Sequence, residues 1–379
     1  MEDFKNIDMV DLKTQYKKIK SEIDSSIINT IESSQFIGGP QVEAFKISLQ
    51  NYLDVKYVIP CANGTDALQI ALMALELKPG DEVIVPSFTY VAAAEVIGLL
   101  GLTPIMADVD LNNFNICIES IKKAITPKTK AVIPVHLYGQ SAPMEELVNL
   151  ASKHNFYIVE DNAQALGADY KFKNGIKRKT GTIGDIGCTS FFPTKNLGCY
   201  GDGGALYTNN DWLAERLKII AVHGQSIKYH HKVIGCNSRL DALQASILNI
   251  KLKYLDTYNL NRLKAAQIYT KGLSEINELI TPKTENYSNH VFHQYTLKVK
   301  NNKRDDLKEY LGKNNIPSIV YYPIPLYKQE AFSSYVKAGF KLENTEILCN
   351  QVLSLPMHTE LEKSTQQYII EKIKTFFNG

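Results

Sequence analysis

Short runs of β-branched residues alternate with helical stretches between residues 61 and 208, and this alternation constrains the fold more than any other feature of the chain. It is typical of βαβ units, whose strands form a largely parallel sheet covered by helices on both faces. Strands are predicted at residues 82–85, 103–107, 131–135, 157–160, 188–191 and 205–208. We therefore expect an α/β fold with a ligand site at the carboxyl ends of its strands.

A change of pattern near residue 241 indicates a second domain. Residues 241–274 are rich in Leu, Lys and Ala and have a helical pattern without a strand signal, as expected of a long helix that links two domains. Strands are then predicted at 290–299 and 318–323, and helices at 304–311 and over the last fifteen residues. We expect a large domain over residues 1–250 with a mostly parallel central sheet, and a smaller α+β domain over 251–379. No low-complexity linker separates them, so they should share a substantial interface.

Charge balance and apolar pattern exclude several classes of protein. The 379 residues carry 42 basic and 40 acidic side chains, a formal charge of +2, whereas nucleic-acid binding needs a basic surface. No apolar run approaches the roughly 20 residues of a membrane span, and the N-terminus lacks the order of a secretion signal. The six cysteines include no C-x-x-C pair, so no metal site is predicted. We expect a cytoplasmic protein with reduced thiols and without nucleic-acid or membrane partners.

Lys195 differs from the other lysines in its neighbours. The segment SerPhePheProThrLysAsnLeuGlyCysTyrGlyAspGlyGly, residues 190–204, places it after an apolar strand and before several glycines, which let the backbone fold closely around a bound group. A lysine amine in a partly desolvated pocket loses its proton more easily, as Schiff-base chemistry requires. A solvated surface charge is the alternative, since most lysines are of that kind.

A second segment ends an apolar strand in two carboxylates, Glu160 and Asp161, with Gln164 shortly after them. A carboxylate at the end of a buried strand needs a cation or hydrogen-bond donors, because an unpaired buried charge costs too much free energy. A protonated pyridine nitrogen is such a partner. A helix N-cap would explain Asp161 alone, but it would not explain the lysine segment downstream.

Two further segments suit a flat, phosphorylated ligand. AlaAsnGlyThrAspAlaLeuGln, residues 62–69, is a glycine-containing turn that opens a helix, and its free N–H groups suit a phosphate. A plain N-cap would give the same pattern. ProSerPheThrTyrValAla, residues 86–92, places Tyr90 after a strand, where its ring can lie over a flat ligand. Core packing is the alternative for Tyr90.

These four segments follow one another in the order expected of a pyridoxal phosphate (PLP) site. As a set they resemble the DegT/DnrJ/EryC1/StrS nucleotide-sugar aminotransferases, which have the PLP-dependent transferase fold type I of aspartate aminotransferase. The resemblance covers essentially the whole chain. The matching motifs are AsnGlyThrAspAla (63–67), GluAspAsnAlaGln (160–164), SerPhePheProThrLysAsnLeuGly (190–198), GlyAspGlyGlyAla (201–205), HisGlyGln (223–225) and AsnSerArgLeuAspAlaLeuGlnAla (237–245).

The resemblance implies a role for each matched residue. Lys195 would bind PLP as a Schiff base and then carry the proton, and Asp161 would keep the pyridine nitrogen protonated. The other cofactor contacts would be Gly64, Thr65 and Ser190 at the phosphate, Tyr90 over the ring, Gln164 near the phenolic oxygen, and Asn237 at the phosphate of the neighbouring subunit. A homodimer with shared active sites is therefore implied.

Within the family, the chain resembles the enzymes that aminate C3 of UDP-2-acetamido-2-deoxy-3-oxo-glucuronic acid with glutamate as the amino donor. The shared segments include residues 61–70 and 188–193, and TyrHisHis at 229–231. A sugar carboxylate needs a fixed cation, and the planar fork of arginine suits it best. In this arginine-poor chain we expect Arg239 to bind the carboxylate, with the hydroxyls of Tyr321 and Tyr322 as further donors. The alternative is that Arg239 braces the dimer and the tyrosines pack the domain interface.

Other substrates and classes stay open. ProThrLysAsnLeuGly, residues 193–198, resembles the branch that aminates dTDP-linked 3-keto-6-deoxyhexoses. Tyr321 stands where the glucuronate branch has histidine, and Tyr327 replaces another common histidine of the family. A 4-keto sugar aminotransferase and a non-catalytic regulatory relative are further alternatives. Dehydratase relatives carry histidine in place of the Schiff-base lysine, so Lys195 argues against that class.

Overall fold

A seven-stranded sheet forms the centre of the molecule. The computed structural model describes residues 7–378. The strands are β1 (Tyr57–Cys61), β2 (Glu82–Pro86), β3 (Thr103–Ala107), β4 (Thr129–Val132), β5 (Tyr157–Asp161), β6 (Asp169–Lys171), β7 (Lys177–Lys179), β8 (Ile186–Ser190), β9 (Gly204–Thr208), β10 (Gln225–Ile227), β11 (His230–His231), β12 (Leu279–Ile280), β13 (Tyr295–Val299) and β14 (Val352–Leu355). The α-helices are α1 (Leu12–Lys18), α2 (Lys20–Ser33), α3 (Pro40–Leu53), α4 (Gly64–Ala74), α5 (Ala92–Leu99), α6 (Ile118–Ala124), α7 (Met144–His154), α8 (Asp211–Ile220), α9 (Ala242–Leu252), α10 (Leu255–Leu273), α11 (Arg304–Lys313), α12 (Glu343–Gln351) and α13 (Lys363–Asn378).

The central sheet has the strand order β1-β9-β8-β5-β4-β2-β3. The strands from β8 to β3 run parallel to one another, and β9 runs antiparallel to both β1 and β8. The expected mostly parallel sheet is therefore confirmed, and a strand lies at each position predicted between residues 82 and 208. The sequence pattern missed β1, which contains Pro60; a proline is tolerated there because β1 is an edge strand.

Helix α4 carries the turn at residues 62–69 to the edge of the sheet. Its body is buried almost all round because the apolar residues follow one another closely, and the alanines among them let it pack tightly on β8. The buried residues are Ala67, Leu68, Ile70, Ala71, Leu72 and Ala74. Its first turn is thereby fixed beside the carboxyl end of β8.

Two helices, rather than the single long one expected, occupy residues 241–274. The amides of Lys253 and Tyr254 bond to carbonyls three residues earlier, which tightens the backbone between α9 and α10. Helix α9 packs against α2 and α3, whereas α10 packs against α13. Because of this break, α9 and α10 can pack against different helices.

A second sheet, β12-β13-β14, lies in the C-terminal part of the chain with α11 and α13. The strand expected at 290–299 begins only at Tyr295, since residues 290–294 turn back towards Gly139. The strand expected at 318–323 is wrong: apart from a bridge between Ile319 and Ser354 the segment is irregular, and it is preceded by Pro317 and ends in Pro323. The division at residue 250 stays a prediction. Within residues 7–378, no helix has the length and apolar character needed to cross a membrane.

Candidate active site

A cavity of about 460 Å³ opens at the carboxyl ends of β1, β2, β5 and β8. Of the residues proposed from the sequence, those that line it are Gly64, Thr65, Tyr90, Asp161, Gln164, Ser190, Lys195, Tyr321 and Tyr322. The residues at the strand ends, Gly64, Thr65, Asp161 and Ser190, form what we term the strand-end wall. The residues from irregular segments, His293, Gln294, Tyr321 and Tyr322, form the loop wall.

At one corner of the strand-end wall, the first turn of α4 lies against Ser190. The Oδ1 atom of Asn63 caps the helix by accepting the Asp66 amide at 2.8 Å. A Cβ atom on Gly64 would lie 2.7 Å from the Cβ of Ser190, so only glycine permits this approach. The first amides of a helix have no partner within it, and the helix dipole adds positive potential. This corner therefore suits a phosphate group.

The Glu160 carboxylate is fully buried, and the protein itself supplies its hydrogen-bond donors. It accepts three backbone amides at 2.6–2.7 Å, those of Gly181, Ile183 and Gly184. It also lies 2.8 Å from Nε2 of His136, whose Nδ1 accepts the Ala142 amide at 3.0 Å, so the ring proton is on Nε2 and is donated to Glu160. With these donors the Glu160 carboxylate needs no ligand, and its role is structural.

Asp161, the next residue of β5, faces the cavity, and its carboxylate accepts fewer hydrogen bonds than that of Glu160. Its Oδ1 accepts the Ala163 amide at 3.0 Å, and Asp161 takes part in none of the salt bridges found within residues 7–378. Burial raises the pKa of the Asp161 carboxyl above its usual value, although the charge of Lys195 opposes this. No helix begins at Asp161, so the N-cap alternative is wrong. A cationic nitrogen in the cavity would supply the missing partner.

Lys195 follows β8 in a tight loop, where its amide bonds to the Phe192 carbonyl at 2.8 Å. Its side chain lines the cavity, and burial lowers the pKa of the amine to about 8, an effect that Asp161 opposes. The surface-charge alternative is therefore wrong. The next residue, Asn196, donates from Nδ2 to Oδ1 of Asn259 at 2.7 Å and to the Val291 carbonyl at 3.1 Å. These bonds fix the backbone on which the amine is carried.

Gln164 connects the cavity floor to the loop wall. Its Oε1 accepts the Tyr138 amide at 2.7 Å, and its Nε2 donates to the Tyr322 hydroxyl at 3.2 Å. The Tyr322 ring lies 6.4 Å from that of Tyr90, whose side chain is 58% exposed. Core packing is therefore wrong for Tyr90, and its ring is free to cover a flat ligand.

The comparison with known proteins agrees with this geometry. The model of the DegT/DnrJ/EryC1/StrS aminotransferase family matches residues 17–374. The chain belongs to this family. A pleiotropic regulatory protein of Geobacillus stearothermophilus is 44% identical over 374 residues, which cover 98% of this chain and 99% of the relative. UDP-2-acetamido-2-deoxy-3-oxo-D-glucuronate aminotransferase of Pseudomonas aeruginosa is 44% identical over 363 residues, with 96% and 98% covered.

Among solved structures, S. venezuelae DesV in complex with a ketimine intermediate superimposes with a TM-score of 0.94 at 36% identity, and 99% of each chain is covered. The fold is therefore PLP-dependent transferase fold type I, and the protein is a PLP-dependent sugar aminotransferase. The residues present fit the cofactor. A Cβ on Gly64 would close the phosphate corner, and the buried Asp161 carboxylate lacks the cation that a protonated pyridine supplies.

Several cavity residues of the aminotransferase were given no role from the sequence. They are Thr89, Tyr138, Phe192, Asp202, His293 and Gln294. His293 is nearly inaccessible, and burial, together with the charges of Lys195 and Arg262, holds its pKa well below the usual value, so the ring is neutral. One signal was available: His293 and Gln294 are adjacent polar residues in a run otherwise typical of a buried strand.

Three residues singled out from the sequence do not line the cavity of their own chain. Asn237 is exposed and Arg239 is half-buried, and both lie beside Ser238, whose Oγ accepts the Ala62 amide at 3.0 Å. Tyr327 is buried, and its hydroxyl donates to Glu346. Its position therefore belongs to packing rather than to a substrate contact.

Proposed function

We propose that this aminotransferase moves the amino group of L-glutamate to C3 of a nucleotide-linked 3-keto sugar in the cytoplasm, and that the sugar is UDP-2-acetamido-2-deoxy-3-oxo-glucuronate. The main support for amino transfer is that one cavity is lined by Lys195, Asp161 and the phosphate corner. The similarity to the P. aeruginosa enzyme supports this acceptor.

Lys195 and Asp161 are the proposed catalytic residues. When bound, PLP supplies an electron sink for the carbon that gains or loses the amino group. An amine whose pKa is about 8 can both release and take up a proton near neutral pH, so Lys195 would move the proton at that carbon. Asp161 would hold the proton on the ring nitrogen, since its buried carboxylate is stabilised by a positive partner.

Five further cavity residues would bind and orient the cofactor. The amides of Gly64 and Thr65 and the hydroxyl of Ser190 would hold the phosphate, and Tyr90 would cover one face of the ring. Gln164 would face the phenolic oxygen with the remaining N–H of its Nε2.

We also propose a homodimer in which Asn237 and Arg239 act in the partner's site. Within residues 7–378, Lys195 is the one lysine or arginine on the cavity wall, which also carries the carboxylates of Asp161 and Asp202. A cofactor phosphate, a diphosphate and a sugar carboxylate need more positive charge than this wall supplies. The exposed Ile227 and Tyr229 of the β10–β11 hairpin support an interface near the Asn237 segment.

Half-reactions test the acceptor. Glutamate first converts the bound cofactor to its aminated form, and the remaining glutamate is then removed. The protein is mixed with UDP- or dTDP-linked 3-keto and 4-keto sugars while the cofactor absorbance is followed. We expect the fastest change with the UDP-linked 3-keto uronic acid. Faster amination of a dTDP-linked 3-keto-6-deoxyhexose would contradict this acceptor.

That neutral sugar is the second candidate, and one observation favours it. In the described chain, the loop wall presents the hydroxyls of Tyr321 and Tyr322 and the amide of Gln294, but no lysine or arginine. A 6-deoxy sugar has no carboxylate and needs no cation there. The same half-reactions distinguish the two acceptors.

A further inference from the structure

The direction of the hydrogen bonds around Gln164 follows from a single backbone amide. The Tyr138 amide can only donate, so the atom that faces it at 2.7 Å is the oxygen of Gln164, and the NH₂ group therefore faces Tyr322. An NH₂ group can only donate, so the Tyr322 oxygen is an acceptor in this pair. The Tyr322 O–H has no acceptor among residues 7–378, and Tyr322 lines the cavity. Its proton is free for a ligand.

Tyr138 makes a second contact with the same segment. Its hydroxyl donates to the carbonyl oxygen of Tyr321, while its ring packs edge-on against Phe114 at 5.2 Å and Phe88 at 6.5 Å. Tyr138 therefore holds the loop wall in two ways: directly at the Tyr321 backbone, and through Gln164 at the Tyr322 hydroxyl.

The backbone of Tyr138 supports a special role for this residue. Its φ of 58° lies in the left-handed region, which is unfavourable for a residue with a Cβ atom. Such conformations persist where the surroundings fix them, and they cluster at functional sites. Here the conformation points the amide to Gln164 while the side chain reaches Tyr321.

We propose that Tyr138 is a positioning residue for the sugar acceptor, because it holds the loop wall so that the Tyr322 hydroxyl donates a hydrogen bond to an oxygen of the bound sugar. This inference rests on the proposed function. Burial raises the pKa of the Tyr322 phenol well above its usual range, so the hydroxyl keeps this proton at neutral pH.

Tyr138→Phe tests the proposal because it removes the hydroxyl and keeps the ring contacts and the backbone amide. We expect the apparent KM for the sugar half-reaction to rise about threefold to tenfold, as for the loss of one hydrogen bond. The glutamate half-reaction and the absorbance of the bound cofactor should stay as in the wild type. Tyr269→Phe is the matched control, since its buried hydroxyl donates to the Pro356 carbonyl at 3.1 Å outside the cavity. It should lose comparable stability and leave both half-reactions unchanged.

A double-mutant cycle with Tyr322→Phe decides whether Tyr138 acts through Tyr322. We expect Tyr138→Phe to have little further effect on the sugar half-reaction once the Tyr322 hydroxyl is absent. Fully additive effects, or equal losses in both half-reactions, would overturn the proposal. If the wild type aminates a different keto sugar, the proposed function fails by itself, and the cycle is measured with the sugar that the enzyme uses.

Discussion

The strand-end wall and the loop wall line one cavity but are held in place differently. Asp161 and Ser190 are the last residues of neighbouring strands, and Gly64 opens a helix packed on the sheet, so the sheet itself sets their spacing. The loop wall comes from two irregular segments fixed by single hydrogen bonds, such as those from Tyr138 and Gln164. Cofactor chemistry needs fixed geometry, and a sheet provides it. Acceptor binding can vary without disturbing the sheet, because a few side-chain contacts determine it.

The largest expected effect comes from Lys195 on the cofactor side of this comparison. Lys195→Ala should lower turnover by about 10⁴-fold or more, because the same amine anchors the cofactor and moves the proton. It should also remove the yellow colour that PLP is expected to give the protein when it is bound to this lysine. Steady-state assays and absorbance spectra of the purified proteins measure both. Lys218→Ala, an exposed lysine on α8, serves as the control. Wild-type turnover in Lys195→Ala would overturn the mechanism.

Asp161→Asn should lower both half-reactions by roughly 10²- to 10³-fold while the cofactor stays bound, because the amide can hydrogen-bond but cannot supply charge. Rapid-mixing spectra of each half-reaction give the rates. A loss in the sugar half-reaction alone would contradict the distinction between the walls, since the strand-end wall should serve both substrates equally.

Shared sites should appear on mixing two inactive variants, Lys195→Ala and Asn237→Asp. Half of the randomly mixed dimers contain both chains, and each of these has one intact site, so roughly a quarter of wild-type turnover should return. The measurement is activity after unfolding and refolding the mixture. Activity no higher than that of the separate variants would mean that each chain builds its own site.

Arg239→Lys should affect the acceptor alone. Loss of the planar fork should weaken use of the uronic acid by roughly 1–3 kcal/mol and leave a neutral analogue almost unaffected. Comparing kcat/KM for the two sugars measures the difference. An equal loss of kcat/KM with both sugars would contradict carboxylate binding and would mean that Arg239 braces the dimer.

The smallest effect concerns the cofactor-free protein. Because burial raises the pKa of folded Asp161, ionisation of this carboxyl opposes folding, and its cost appears as pH rises through the raised pKa. Asp161→Asn should therefore unfold a few degrees higher than the wild type at pH 7, and the gap should close below about pH 4. Thermal melts across this range measure it. With PLP bound the gap should shrink, since a cation then faces the carboxylate.

The two walls also differ in how well the sequence predicts them. Asp161 and the turn at Gly64 on the strand-end wall, and Lys195 beside it, stand in short motifs next to apolar strands, so they were recognisable from local pattern. Tyr138 follows no such pattern, because its role depends on contacts with residues 164 and 321. The apolar run at 318–323 suggested a strand, but the prolines at 317 and 323 prevent regular pairing. Asn237 and Arg239 do not line the cavity of their own chain, so their proposed roles depend on a second subunit.

The bonds of Asn196 also bear on how ligands reach the cavity. Through Asn259 and residue 291 they join the lysine loop to α10 and to the segment that continues into His293. A hinge motion along this seam would break these bonds. Tyr90 and Phe192, which also line the cavity, are by contrast 58% and 49% exposed in the isolated chain. Rotations of exposed rings take picoseconds to nanoseconds, whereas domain motions take microseconds or longer. Substrate exchange should therefore be limited by motions of exposed side chains such as Phe192, and not by a slow domain motion.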